Sequence, residues 1–362
     1  MKRVVLVGGG TAGHVEPALA VGRALVGLDS DIELEFIGTT SGVEVELLID
    51  TGIMFHAITK APFPRKLDFD TILWPAKFLY AFFQSLSSIS GADLIVGFGG
   101  YVSAPVYVAA RVLRIPLIIH EANAKPGLAN RLGAKFCKKL FIAFEGARSL
   151  GGSWNVALNV GMPIKEEIDL YSLHENRELR ESFLMNLELN NRNKNLLIFG
   201  GSLGAEKINN AISESLDTIL ATGWNVIHSI GSRNKLPEIK GNYRPLLYIQ
   251  DMAGAYAAAD FVISRSGAVT CAELEAVGKP ALLVPLEIGN GEQEANAMEL
   301  IKNGQASMVS NADFNGNWIK ENLLAILLSN PSFRGGVTRR AAEKIGEVAL
   351  DRKSTRLNSS HT

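Results

Sequence analysis

Cysteine is nearly absent: the 362 residues hold two, Cys137 and Cys271, far apart and without metal-ligand spacing. That excludes a disulfide framework and fits a reducing cytoplasm. Net charge is just as scarce. The 36 Lys and Arg against 37 Asp and Glu leave −1, so there is no electrostatic footprint for a nucleic-acid partner. No apolar run approaches the ~20 residues of a membrane-spanning helix. The opening Met1-Lys2-Arg3 superficially resembles a secretory leader, but the apolar run after it is short and Gly8-Gly9-Gly10 interrupts it. What is plentiful is glycine, 35 residues, in a chain that is 47% hydrophobic and 20% charged. That composition describes a globular chain long enough for two domains.

The glycines gather where strand patterns give way to helix patterns. Residues 4–7 read as a strand, Gly8-Gly9-Gly10-Thr11-Ala12-Gly13-His14 as a loop, and a helix is expected from about Pro17. Gly8, Gly10 and Gly13 formally satisfy a dinucleotide pattern. The second strand, 33–37, ends in Gly38-Thr39-Thr40, with no acidic residue at its tip to hold an adenosine ribose. This counts against a dehydrogenase. His14 stands at the start of a helix, where the positive dipole end is expected to disfavour imidazolium and leave a neutral base. Taken alone, a helix-end histidine more often has no role. Further strands are expected at 55–58, 93–97, 117–120, 139–143 and 155–160. A second glycine loop, Gly97 through Ser103, and a third strand end, His120-Glu121-Ala122-Asn123, would share one sheet edge with the first loop.

Between two of these units, residues 62–83 alternate Arg65, Lys66 and Lys77 with Phe63, Ile72, Trp74, Phe78 and other large apolar side chains. Basic residues beside Trp and Phe suggest attachment to an anionic membrane surface, with the later part of this stretch turned to the core and the part from Phe63 to Trp74 exposed.

A polar interval, 169–195, precedes a restart of the pattern: a strand, Gly200-Gly201-Ser202-Leu203-Gly204, and a helix from Ala205. Strands are then expected at 225–230, 246–249, 261–263, 281–284 and 306–309. The stretch 260–296 organises this half. Its strand feeds a turn with Ser264, Ser266 and Gly267 that opens a helix over 269–277, closed by Gly278-Lys279-Pro280. Free backbone N–H groups and the helix dipole make that turn a ready anion site, and Arg265 adds positive charge. Glu273, one turn in, is placed to accept hydrogens from two ribose hydroxyls. The local pattern thus suggests a nucleoside-diphosphate site; an ordinary capped βα unit would show the same pattern.

Five motifs in order resemble the MurG family of inverting GT-B glycosyltransferases. They are the 9–14 loop, Gly99-Gly100-Tyr101-Val102-Ser103, His120 to Asn123, the 200–204 loop, and Arg265-Ser266-Gly267-Ala268-Val269-Thr270. Residues 287–297 look like the actinobacterial donor loop. The resemblance covers about 4–309 and implies an α/β GT-B fold, two Rossmann-like doubly wound domains facing each other across a cleft. The expected domains are 1–160, with a helix at about 339–350 packing back, and 161–337. It implies transfer of GlcNAc from UDP-GlcNAc to the muramyl 4-hydroxyl of lipid I, at the cytoplasmic face of the cell membrane, with no metal and no cofactor. His14 would be the base and Tyr101 and Asn130 would support the acceptor. Ser202, Ile249 (through its backbone, to uracil), Arg265, Ser266, Ala268, Val269, Thr270, Glu273 and Gln293 would hold the donor. Thr11, Ala12, Gly13, Asn123 and Lys165 would approach the donor from the other half. The chain departs from the family pattern at Ala12, at Ala122, and at Met162-Pro163-Ile164-Lys165, where a point charge replaces a guanidinium. Two other readings share the layout: a UDP-GlcNAc 2-epimerase, and a binding protein that kept the nucleotide site without turnover. The polar tail 351–362 reads as non-native adaptor-derived sequence, in which case the native C-terminus is missing.

Overall fold

The computed structural model describes residues 2–40, 44–49, 51–64, 69–171, 177–201, 204–287, 291–328 and 340–351. The chain divides into two compact units, Met1–Lys165 with Arg340–Thr362, and Glu166–Arg339. In chain order, the elements of the first unit are β1 (Lys2–Val7), α1 (Ala12–Leu28), β2 (Ile32–Gly38), α2 (Glu44–Leu48), β3 (Met54–Ala57), α3 (Phe69–Ile89), β4 (Leu94–Gly97), α4 (Ser103–Leu113), β5 (Leu117–Glu121), α5 (Leu128–Gly133), β6 (Lys139–Ile142) and β7 (Leu158–Asn159). The second holds α6 (Glu166–Tyr171), α7 (Arg177–Asn186), β8 (Asn195–Phe199), α8 (Glu206–Leu220), β9 (Asn225–Ser229), β10 (Tyr243–Leu246), α9 (Met252–Ala258), β11 (Phe261–Ser264), α10 (Ala268–Val277), β12 (Ala281–Leu283), α11 (Glu292–Lys302), β13 (Ala306–Met308) and α12 (Gly316–Leu328). Last comes α13 (Ala341–Leu350), which packs on α1 and so belongs to the first unit.

Each unit is a parallel sheet. The first runs β3-β2-β1-β4-β5-β6-β7 and the second β10-β9-β8-β11-β12-β13. Parallel strands covered by helices are apolar on both faces. On β1, Val5 and Val7 enter one core with α3 and α4, while Val4 and Leu6 enter the other with α1 and α13. The strand order reverses between β1 and β4, and between β8 and β11. In open α/β sheets, ligands bind beyond the carboxyl ends of the strands at that reversal. Both glycine loops and the Ser264–Gly267 turn fall there.

Three expectations need correction. α1 starts at Ala12, so Pro17 lies inside it and not at its start. The helix follows directly on Thr11, leaving the loop shorter than the glycine run suggests. The strand expected at 246–249 is β10, Tyr243–Leu246. It contains Pro245, which an edge strand tolerates, and β10 is at the edge. The strand expected at 155–160 contracts to Leu158–Asn159, because its first residues are consumed by a turn around Gly152–Trp154.

Two buried histidines should make the fold less stable in acid. Burial pushes His120, in the first unit, and His228, in the second, down to about 4. In the unfolded chain each takes up a proton near pH ~6.5. Between those values the unfolded state binds more protons, so stability is full above ~6.5 and falls as pH drops toward 4. By pH 5 the expected loss is about 2 kcal/mol per histidine. Denaturant unfolding across this window should show the slope, and His228→Gln should flatten the share carried by the second unit. An unchanged slope in that variant would count against His228 as its source.

Candidate functional site

In the first unit the loops after β1 and β4 touch. Gly100 has φ +83°, a backbone conformation natural to glycine, and a Cβ there would overlap the carbonyl oxygen of Gly9. Tyr101 lies against Gly10, with Lys60 Nζ 5.6 Å from the ring centroid. Its hydroxyl is 3.2 Å from Thr39 Oγ1. Beneath this contact is Glu44, fully buried. The Thr39 N–H and hydroxyl donate to its Oε1 at 2.8 and 2.9 Å, and the Gly10 N–H reaches Oε2 at 3.4 Å. One carboxylate therefore ties the tip of β2 to the first glycine loop.

His14 sits in the first turn of α1, half-buried, with Nδ1 3.0 Å from Thr11 Oγ1. With Nδ1–H donating to that hydroxyl, the basic lone pair is on Nε2. Thr11 is exposed, and Ala12 is helical with ordinary backbone angles, so its methyl group costs the backbone nothing.

At the end of β5, Glu121 is buried and accepts from Asn123 N–H (2.8 Å), Gly127 N–H (3.1 Å) and Asn130 Nδ2 (2.9 Å). Burial raises its pKa against those hydrogen bonds. Asn130 is itself buried, its amide oxygen accepting from the Tyr107 hydroxyl at 2.9 Å. That hydroxyl also accepts from Gly99 N–H at 3.3 Å. Asn130 thus braces two loops from within and does not present its amide outward. Ala122 is buried behind Asn123. His120 Nε2 pairs with the Gly161 carbonyl at 2.9 Å, holding the irregular segment that leads from β7 to Lys165, the last residue of this part of the unit.

In the second unit, Gly267 caps α10 without a side-chain hydrogen bond. The hydroxyls of Ser264 and Ser266 are buried there without a partner. Buried hydroxyls are normally satisfied, and an anion at the α10 N-terminus is a partner of the right chemistry. Ala268, Val269, Thr270 and Glu273 follow along that helix, and Ile249 is buried at the end of the segment after β10. Arg265 is committed elsewhere than the sequence suggests: its guanidinium donates to the Val284 carbonyl (2.9 Å) and Asn311 Oδ1 (2.7 Å), bracing the end of β12. Gln293 accepts from Leu286 N–H at 2.9 Å, pinning the donor-loop base. Gly204, φ +82°, lies where a Cβ would overlap the Ile230 carbonyl, so Gly204 packs directly against the end of β9. Ser202, and residues 288–290 of the expected donor loop, lie outside the described residues.

The profile of the glycosyltransferase family 28 N-terminal domain matches residues 4–142, and that of its C-terminal domain residues 195–347. A Corynebacterium diphtheriae relative is 39% identical, with 96% of each chain covered; it is named UDP-N-acetylglucosamine–N-acetylmuramyl-(pentapeptide) pyrophosphoryl-undecaprenol N-acetylglucosamine transferase. The chain belongs to the MurG family. A Thermobifida fusca protein of the same name is 41% identical, over 90% of this chain and 86% of that one. The crystal structure of Acinetobacter baumannii MurG superposes with a TM-score of 0.71 at 27% identity, covering 96% of this chain and 99% of that one. The MurG-family member described here is therefore a glycosyltransferase with the two-domain α/β GT-B fold. A Methanocaldococcus jannaschii UDP-GlcNAc 2-epimerase, TM-score 0.61 at 14% identity, shares the fold alone.

Glu44, Tyr107 and Tyr256, whose hydroxyl donates to Glu273 Oε2 at 2.9 Å, are not announced by any sequence motif. Each acts by hydrogen-bonding a residue distant in sequence, and none sits in a glycine motif. The one available signal was a pair of acids, Glu44 and Glu46, soon after Gly38-Thr39, since a buried carboxylate near a glycine loop has backbone N–H groups to accept from.

Proposed function

We propose that this protein transfers GlcNAc from UDP-GlcNAc to the muramyl 4-hydroxyl of lipid I, giving lipid II and UDP. The observation that carries the reading is the entry to α10. Two buried hydroxyls without partners, a helix N-terminus and the Glu273 carboxylate lie in sequence along one turn and helix, which suits a diphosphate followed by a ribose. The full-length likeness to transferases of that name supports the sugar and the acceptor.

The reaction is a single displacement. The acceptor hydroxyl oxygen forms a bond to the anomeric carbon, the bond from that carbon to the diphosphate breaks, and the configuration inverts. His14 takes the hydroxyl proton, and the α10 N-terminus with Ser266 stabilises charge on the departing UDP. Tyr101, ordered by Thr39 and Gly10, supports the acceptor side, and Thr11, Asn123 and Lys165 are proposed donor contacts. Incubating labelled UDP-GlcNAc with a short-chain lipid I analogue tests this. Lipid II-like product is expected; UDP-ManNAc formed without acceptor would instead mark an epimerase, and UDP binding without transfer a degenerate member.

The protein works at the cytoplasmic face of the cell membrane, docked through α3. No described helix is long and apolar enough to span a bilayer. Yet Ile72 (73% exposed), Leu73, Leu79, Tyr80 and Phe83 project outward at helical spacing. Trp74 is half-buried, lying between an edge-on Phe63 and a tilted Phe78 and donating to the Ala61 carbonyl. The apolar exposed face thus runs further along α3 than residue 74, where the sequence pattern suggested it would end; Arg65 and Lys66 lie outside the described residues. Arg3 anchors the other end of α3 by donating to the Ser88 and Ser90 carbonyls while it pairs with Glu35. Changing Ile72, Leu79 and Phe83 together to Ser should weaken co-sedimentation with anionic vesicles about tenfold or more. Equal binding would remove α3 as the docking element.

A further inference from the structure

Tyr256 is fully buried on α9, and its hydroxyl donates to Glu273 Oε2 at 2.9 Å. Its ring packs edge-on to Phe199, centroids 6.2 Å apart, at the end of β8 directly before Gly200. α9 is capped by Asp251, two residues after Ile249; the Asp251 side chain accepts from Gly254 N–H at 2.8 Å. One short helix therefore joins three parts of the nucleotide site: the segment expected to seat uracil, the glycine-loop strand, and the carboxylate expected to read the ribose.

A ring of this size fills the core equally well as phenylalanine, so packing alone does not account for a hydroxyl aimed at a carboxylate. Burial and the neighbouring Glu273 charge raise the phenol well above its ordinary value, so it keeps its proton and remains a donor. A carboxylate has about four lone-pair directions, so accepting from Tyr256 is compatible with accepting from two sugar hydroxyls. What the bond removes is rotation of the carboxylate about its stem.

We propose that Tyr256 is the positioning residue of the ribose reader: it fixes the Glu273 carboxylate for two hydroxyls and so sets the preference for a ribonucleoside diphosphate over its deoxy analogue. The inference rests on the reading of Glu273 as the ribose contact. Tyr256 touches no reacting atom, so its effect is on donor affinity and KM for UDP-GlcNAc, with kcat at saturating donor nearly unchanged.

Calorimetric titration of UDP and 2′-deoxy-UDP into the full-length protein tests it. Wild type should prefer UDP, and Glu273→Ala should abolish the preference. Tyr256→Phe should lower UDP affinity about fivefold, the net worth of one hydrogen bond, with a smaller change for 2′-deoxy-UDP. In the Glu273→Ala background the same change should do nothing further. Phe199→Leu loosens the ring without removing the hydroxyl, and should shift the preference in the same direction by less; it serves if Tyr256→Phe does not fold. A full ribose preference in Tyr256→Phe, or an equal loss without Glu273, overturns the proposal while leaving the ribose contact standing. A preference that survives Glu273→Ala refutes the ribose contact itself and takes the proposal with it.

Discussion

His14→Ala is expected to lower kcat by about 10²–10⁴-fold, the range one positioned general base supplies. An acceptor hydroxyl is almost wholly protonated at neutral pH, so without a base its proton must leave to water as the new bond forms. The Thr11 hydroxyl 3.0 Å from Nδ1 orients the ring. Removing it through Thr11→Val should therefore cost part of the same factor. UDP binding, assigned to the second unit, should be unaffected by His14→Ala. Single-turnover transfer from UDP-GlcNAc at saturating acceptor measures the effect, and wild-type turnover in His14→Ala would sink the assignment.

Gly100→Ala should have the largest effect on the first unit. At φ +83° any other L residue carries roughly 1–2 kcal/mol of backbone strain. The new methyl group would also overlap the Gly9 carbonyl oxygen, an atom that moves only if the loop carrying Thr11 and His14 moves with it. A loss of about 3 kcal/mol or more is expected once steric displacement is added to strain. Transfer should fall at least as far as in His14→Ala. Hydrogen exchange would locate the damage in β1, α1 and β4, with the second unit protected as before. A near-native melting profile for β1 and α1 would mean the two loops are not held in register by this contact.

The alternation of strands and helices, and the glycine loops at the strand ends, were legible because both arise from local requirements. β-branched runs bury as parallel strands, and only glycine allows backbone to approach backbone as Gly100 approaches Gly9. What escaped the sequence depends on pairs far apart in it. Thr39 meets Tyr101 across 62 positions, and Tyr107 meets Asn130 across 23. Nothing in the neighbourhood of either residue announces its partner. Arg265 shows the same gap from the other side. A positive charge in an anion-binding turn invites assignment to phosphate, but the strand end at Val284 and the amide at Asn311 claim it. β10 was displaced because register is set by pairing with β9, which hydrophobicity alone does not specify.

The place of α13 has a consequence for how the protein is made. Ala341, Ile345 and Ala349 are buried in the same core as Leu25 of α1, yet the ribosome releases them only after the whole second unit has been synthesised. Chains emerge N-terminus first at about 5–20 residues per second. For the roughly ten to forty seconds needed to translate some 180 residues at that rate, the nascent first unit carries an open apolar seam along α1. The second unit, by contrast, can complete its sheet while still tethered. The unit that begins folding first is thus the one that finishes last.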